Sequence, residues 1–441
     1  MFGLIDYIRL IYHQRYFSKK QIEKYQFKQI KKIVKYARKH SPFYRAYYEG
    51  YPLNTIDDFY LFPTINKQIM MENFSSLNTS LLVKEEVEAY AIKKEIEKDY
   101  YGYYQDQFVV GLSSGTSGNR GIYITPKKMT KRLPFVFLAR SGLRLRELPF
   151  RILFLLRVFS QGFDDINSPF IKLKYMSTMA SPETIIKTIN EMNINILMAP
   201  PSLLRQIIIF AGLIKVKIKK VVTYAEVLNK EDKHRFEEAF HSSVIEIYQA
   251  SEGQMASACK DGTLHINEDL VFVELYNQKN ELIQTKGEIG HKMIITNLVN
   301  FAQPLIRYEM NDMVVLKENC SCHSHFRAID QVLGRHDDLL YFITSSGEER
   351  IVYPDLFVRW IIISSDLIKE FQVVQPKKNE INITLDLAVE DDSVITILNQ
   401  ILHNELAKLD CHQVVISYTL AKISLPQEKN KYKRFINTIK K

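Results

Sequence analysis

Apolar and polar positions change rhythm three times along this chain. Up to about residue 100 the spacing is helical: in SKKQIEKYQFKQIKKIVKYARKH, Ile22, Phe27, Ile30, Ile33 and Val34 share one face, and Pro42 ends the run. The opening MFGLIDYIRLIYHQRYF has the same spacing at Phe2, Ile5, Ile8 and Tyr12, which predicts a docking or interfacial helix. Between 150 and 250 strands and helices alternate. RILFLLRV and NINILMAP read as buried strands, SLLRQIIIFAGL as a helix, KKVVTYAEV as a strand, KEDKHRFEEAF as a helix and SVIEIYQ as a strand. That alternation predicts an α/β domain with a largely parallel sheet. From 265 to 330 strand follows strand (LVFVELYN, KMIITNLV, PLIRYEMNDMVVL), an antiparallel β addition.

A new rhythm starts after LGRHDD. It runs helix YPDLFVRWIIISS, strands EFQVVQP and EINITLDLA, helix DSVITILNQILHNELAKL, strand HQVVISYTL. Two helices on a small sheet make a separate α+β lid in the manner of a ferredoxin-like split unit. The predicted fold is therefore α/β: a large multi-layer domain over 1–335 with mixed and parallel sheets, helical in its first 100 residues, and a small lid over 336–441.

Composition narrows the classes. With 46% hydrophobic residues in 441 the chain can bury a large core, and 25% charge of both signs argues against disorder. The net charge of +9 suits nucleic acid, an anionic membrane, or small anions such as nucleotides and coenzyme A. No nucleic-acid-binding signature is present, which sets that class aside. Asp6 and Arg9 interrupt the opening apolar run, so it does not read as a signal peptide, and the run Ile207 to Ile214 is too short to cross a bilayer. Four cysteines without a disulfide-dense pattern predict a cytoplasmic protein.

The chain holds 16 glycines, and four of them lie in FVVGLSSGTSGNRGIYITP. A strand, a Ser/Thr/Gly loop and a second strand can form a nest of amide groups around an anion, and glycine permits the positive φ such a turn requires. Alone, the segment reads equally as a solvated hairpin loop. Three further stretches bear on it. IEIYQASEG ends a strand with Tyr248, Ser251 and Glu252, where an aromatic ring, a hydroxyl and a carboxylate could face a ligand crevice. PLIRYEMNDMVVL places Arg307 and Asp312 within apolar strands, either for ribose binding or as a surface ion pair across a turn. LGRHDDLL sets Arg335 beside two aspartates at the inferred domain junction.

Together, in this order and spacing, these four segments resemble the adenylate-forming superfamily, in particular its phenylacetate–coenzyme A ligase branch. SPFYR and FPTINKQIMMENF resemble capsule-biosynthesis and deazaflavin-coenzyme-synthetase relatives, so the likeness covers nearly the whole chain. The resemblance implies an ATP- and Mg²⁺-dependent ligase that turns a small-molecule carboxylate into an acyl-adenylate and passes it to coenzyme A or another acceptor. It implies that Ser113, Ser114, Gly115, Thr116, Ser117 and Gly118 cradle the triphosphate, that Glu252 with Ser251 holds Mg²⁺, and that Tyr248 stacks on adenine. Asp312 would bind the ribose, Arg335 ribose or phosphate, and Asp337 would be the hinge of the lid. In NKYKRF, Lys431 takes the role of the lid lysine, with Lys433 as the second choice.

The match departs from the pattern in four places. Asn119-Arg120 replaces Lys-Pro, which leaves Arg120 to supply charge at the leaving phosphates. VVTYAEVL corresponds to a segment lining the nucleotide and acyl pocket through Glu226, where Tyr224 replaces a glycine and would crowd it. Gln249 replaces another glycine, and Asn311 a third that Asn can mimic because it tolerates left-handed backbone. Relatives in this branch can carry structural zinc, and Cys259, His265, Cys320 and Cys322 match its ligand chemistry, with His323 and His325 as competitors; reduced cytosolic cysteines are the plainer reading. Alternatives to the ligase are a nucleotidyltransferase placing AMP on a hydroxyl-bearing cofactor and a non-catalytic nucleotide-binding scaffold. The helical amino-terminal region could also pair subunits in a homodimer.

Overall fold

The computed structural model describes residues 2–97, 102–112, 120–143, 147–156, 167, 169–178, 180–283, 287–318, 320–365, 367–423 and 433–439. Seven helices lead: α1 (Phe2–Tyr16), α2 (Lys19–His40), α3 (Pro42–Tyr47), α4 (Ile56–Tyr60), α5 (Lys67–Glu72), α6 (Phe74–Leu77) and α7 (Lys84–Glu97). Ser18 and Gln21 form a capping box that starts α2, and Ser41 caps α3 through the Tyr44 amide, with Pro42 at its first position. The buried face of α2 comprises Ile22, Gln26, Ile30, Ile33, Val34 and Ala37. Phe27, expected there, is only partly buried and lies under Lys31; Gln26 is inside because its amide reaches both the carbonyl and the carboxylate of Glu268.

Helix α1 also departs from expectation. It docks through Asp6, Leu10 and His13, while Ile5, Ile8 and Tyr12 face outward. Polar partners decide this: Asp6 is gripped by Arg132, His13 by Asp269, and Arg140 bonds the Leu10 carbonyl.

β1 (Phe108–Leu112) and β2 (Ile122–Pro126) form an antiparallel hairpin, followed by α8 (Lys127–Thr130) and α9 (Leu133–Arg140). The central sheet then assembles from β3 (Phe150–Leu156), β4 (Ile171–Ser177), β5 (Ile196–Met198), β6 (Lys220–Tyr224), β7 (Ser243–Ala250), β8 (Gly253–Ala258) and β9 (Leu264–Ile266), with α10 (Pro182–Glu191), α11 (Pro201–Ile208) and α12 (Lys230–Phe240) between strands. β10 (Val271–Tyr276), β12 (Lys292–Asn297) and β13 (Tyr308–Met310) make a separate three-stranded sheet. β11 (Ile289–Gly290), β14 (Asp312–Leu316) and β15 (Ala328–Arg335) join the large one, whose order is β11-β14-β15-β9-β8-β7-β6-β5-β3-β4. The β4-β3-β5-β6-β7 half is parallel and the rest antiparallel, as the two sequence rhythms predict.

The carboxyl-terminal unit contains the hairpin β16 (Leu340–Ile343) and β17 (Glu349–Val352), then α13 (Pro354–Ser364), β18 (Ile368–Lys377), β19 (Glu380–Leu387), α14 (Ser393–Lys408), β20 (Val415–Leu420) and β21 (Phe435–Asn437). Its four-stranded sheet, β20-β19-β18-β21, has its own apolar core of Phe342, Phe357, Trp360, Phe371, Leu398 and Leu402. It meets the larger unit through Arg434–Glu226 at 3.2 Å and Arg359–Glu231 at 2.9 Å. Among the described residues, no helix is long and apolar enough to cross a membrane.

Candidate nucleotide and metal sites

Glu252 occupies the turn joining β7 to β8, where Ala250 pairs with Gly253. The turn is tight. A Cβ on Gly253 would lie 3.2 Å from Val271 Cγ1 and 3.3 Å from Asn297 Nδ2, the group that donates to the Glu252 carbonyl at 2.8 Å. The Glu252 carboxylate accepts the Tyr123 hydroxyl at 2.7 Å, and Tyr123 lies 3.2 Å from the Tyr308 hydroxyl. Tyr123 stands near the start of β2, the strand leaving the glycine-rich loop. The hairpin arms therefore bring that loop's flank against Glu252. Burial raises the Glu252 pKa, with Asp312 adding, while Tyr123 and Arg335 oppose.

Tyr248, near the end of β7, has its hydroxyl 3.9 Å from Met293 Sδ, and burial followed by neighbouring Asp312 raises its pKa. Asp312 opens β14 directly opposite Arg335 at the end of β15, with Arg335 Nε 3.8 Å from Asp312 Oδ1. Tyr248, Glu252, Asp312 and Arg335 thus form one cluster from three strand ends and a turn. Ser251 is exposed on that turn, and Gln249 is exposed within the last residues of β7. Asp337 lies in the 3₁₀ turn His336–Asp338 and accepts from Asn311 Nδ2 at 3.0 Å.

One member was missed from sequence. Burial lowers the pKa of Lys67, with Glu252 opposing and Arg335 adding, which places this ammonium in the field of the same cluster. The chain brings it there by main-chain bonds: Ile65 N donates to the Arg307 carbonyl at 3.0 Å, and Glu309 N to the Ile65 carbonyl at 2.8 Å. Asn66 then caps α5, whose first residue is Lys67. The signal was present in FPTINKQIMMENF, as a cation just after a capping asparagine.

Arg307 has a different partner from the one expected. It binds Glu274, not Asp312, at 2.8 Å and is almost fully buried, so it is no surface ion pair. Its guanidinium also reaches the Tyr60 and Phe62 carbonyls, which holds the segment leading to Lys67. The left-handed residue of this stretch is Arg307 (φ 48°), not Asn311.

Glu226 lies beyond the end of β6, beside the cluster's strand β7. Burial alone would raise its pKa, but Arg434, Arg205 and two bonds from Ser202 outweigh it and lower it. Tyr224 fills the adjoining strand ends: its ring packs edge-on at 5.2 Å from Phe154 and its hydroxyl donates to the Leu155 carbonyl. Arg120 precedes β2. Ser113 to Gly118 and Lys431 lie outside the described residues.

A second polar cluster lies at the other end of β15. Cys259, His265, Cys320 and Cys322 bring four ligand atoms within 4.8 Å of one another. Cys259 Sγ is 3.5 Å from Cys320 Sγ, and Cys322 Sγ is 3.3 Å from His265 Nε2. His265 Nδ1 lies 2.8 Å from the Phe326 carbonyl; donating there leaves the Nε2 lone pair for a metal. The donor set and spacing fit tetrahedral Zn²⁺, for which ligand atoms stand about 3–4 Å apart. His323 and His325 are not part of this group.

No protein-family model matches the chain, and no curated protein matches its sequence. Solved structures do match. 2-Hydroxyisobutyryl-CoA ligase in the postadenylation state, in complex with R3-HIB-AMP, aligns with a TM-score of 0.72 at 16% identity, over 97% of this chain and 92% of that one. The chain has the fold of acyl-adenylate-forming ligases. The same ligase in the thioesterification state, with 2-HIB-AMP and CoA, scores 0.59 at 16% identity over 97% and 91% of the two chains. The amide bond synthetase McbA of Marinactinospora thermotolerans scores 0.54 at 12% identity over 75% and 69%.

Proposed function

We propose that the chain is an ATP-dependent ligase that activates a small carboxylic acid as its acyl-adenylate and then passes the acyl group to coenzyme A or another acceptor. The observation that carries this reading is the Tyr123–Glu252 bond, which puts the flank of the glycine-rich loop against a carboxylate neighbouring Tyr248, Asp312 and Arg335. A carboxylate nucleophile is already ionised near neutrality, so the site requires alignment and charge neutralisation rather than a base. The substrate oxygen bonds to the α-phosphorus as the bond to the β-phosphate oxygen breaks, and pyrophosphate leaves. In this reading Asp312 accepts the ribose hydroxyls, Tyr248 lies along adenine, and Ser113 to Gly118 with Arg120 hold the phosphates. Lys67 and Arg335 are cations on the near side, and Lys431 bridges carboxylate and α-phosphate from the lid, which turns about Asp337.

The oxygen chemistry of Glu252 and Ser251 fits Mg²⁺, which when bound would neutralise phosphate charge. The Cys₃His cluster would hold a structural zinc between the β8–β9 turn and residues 320–322. Elemental analysis of purified protein should find about one zinc per chain; a metal-free, fully folded protein removes that part of the reading.

ATP–pyrophosphate exchange over a panel of aryl, fatty and amino acids tests the activity. Exchange that depends on an added acid is expected, and Lys431→Ala should lower it about 10²–10³-fold while sparing thioester formation from a preformed adenylate. Transfer of AMP to a hydroxyl acceptor, or nucleotide binding without turnover, would replace the proposal by a nucleotidyltransferase or a scaffold.

A further inference from the structure

Helix α1 presents an apolar stripe to solvent. Leu4, Ile5, Ile8, Tyr12 and Tyr16 are each between 52% and 64% exposed and recur at helical spacing along its 15 residues. Isolated exposed apolar side chains are ordinary; five aligned on one face are not. The helix is not a loose end. Its opposite face is locked by Arg140, which binds both oxygens of buried Asp269 at 2.6 and 2.7 Å, by His13 on the same carboxylate, and by Leu10 packed with Val136 and Leu270. The stripe is therefore held in a fixed outward orientation.

Cations gather at both ends of it. Arg15 lies on the helix, and Lys19, Lys20 and Lys24 follow in the first turns of α2, all exposed. At the other end Arg132 clasps Asp6 together with Arg9, and exposed Lys128 and Lys131 adjoin it. The acids here are Asp6, buried beneath those two guanidinium groups, Asp269, buried against His13 and Arg140, and the exposed Glu23 and Asp106, the latter next to Gln107, whose carbonyl accepts from the Lys127 amide.

We propose that α1 lies on an anionic lipid bilayer, its apolar stripe in the headgroup–acyl boundary and its flanking lysines on acidic headgroups. A helix about 22 Å long with Leu and Ile on one face and tyrosines beside them has the composition of an interfacial helix. Stable adsorption needs a second signal besides apolar area, and the basic flanks supply it. A second copy of the chain is the poorer occupant. Two-fold pairing through α1 would set like charges face to face, and five side chains fall well short of the roughly 20–30 residues a side of a stable interface.

Flotation of the whole protein with vesicles decides it. Binding is expected to vesicles of about 70% phosphatidylcholine and about 30% phosphatidylglycerol, and much less to pure phosphatidylcholine. Ile5→Glu/Ile8→Glu should lower the partition coefficient at least about tenfold. Lys128→Ser/Lys131→Ser should lower it severalfold and weaken its salt dependence. These positions are exposed, so thermal midpoints should match the parent. A parent that does not float with anionic vesicles, or a double Glu variant that floats as well as the parent, overturns the proposal. So does a dimer in sedimentation velocity that Ile5→Glu/Ile8→Glu splits while vesicle binding stays absent.

Discussion

Two arginine–carboxylate pairs lie close together in this molecule and are built in opposite ways. Arg307 and Glu274 are in contact at 2.8 Å with side chains 6% and 1% exposed, whereas Arg335 and Asp312 stand 3.8 Å apart with side chains 46% and 17% exposed. The first pair spends every donor on the protein: Arg307 binds Glu274, the Tyr276 hydroxyl and two backbone carbonyls. The second keeps its groups near water at the ends of two strands. The sealed pair fixes backbone; the open pair leaves both groups partly exposed beside Tyr248 and Glu252. Glu246 is a third case, a carboxylate turned inward without an arginine. Burial pushes it up to about 7, against a Leu228 amide and Lys233.

The comparison breaks most visibly at Arg307. Arg307→Met leaves Glu274 buried without its partner, so chemical denaturation should show a loss of about 3–5 kcal/mol. An unchanged midpoint would mean the pair is not the clamp described. Asp312→Ala should leave stability within about 1 kcal/mol but weaken ATP binding roughly 10–100-fold, as expected for a hydrogen-bonded charge on the ribose. Calorimetric titration with ATP separates these outcomes, and unaltered affinity would make the open pair structural too. The smallest effect belongs to Glu246→Gln. With the folded pKa above the unfolded value, the native state binds the extra proton between about pH 4.5 and 7, so stability falls as pH rises across that window. The Gln variant should therefore be more stable at about pH 8 by roughly 1–2 kcal/mol, less than the full shift implies because the side chain keeps some contact with water, and equal to the parent below about pH 4.5. Melting curves at the two pH values check this.

Much of the fold was legible because strand and helix periods are local. Most of the parallel half of the central sheet, the antiparallel addition, and α13, β18, β19, α14 and β20 of the carboxyl-terminal unit stand where the rhythm places them; the short β16–β17 hairpin and β21 are additions of the structure. β4 falls outside that rhythm: its IKLKYMS alternates because it is an edge strand with Lys172 and Lys174 in water, unlike the continuous apolar runs of its buried neighbours. For the site, residue types were legible and partners were not. Tyr248, Glu252, Asp312 and Arg335 could be named from their motifs. That Tyr123 would meet Glu252 across 129 positions, or Arg307 choose Glu274 across 33, follows only from tertiary packing. Helix α1 illustrates the limit from the other side. Periodicity located its apolar face correctly but not which face would be buried, because the helix is seated by charges on its other side.

Strand β15 starts with Ala328 paired to His265 and ends with Arg335 opposite Asp312. Eight residues of strand, on the order of 25 Å, thus link the thiol–imidazole cluster to the arginine of the open pair, with two register shifts against β14 and left-handed Gly334 (φ 107°) between them. Displacing a loop at the sulfur end would therefore disturb the Ala328 end of the strand first, and the bulges between the two ends limit how far that displacement carries toward Arg335.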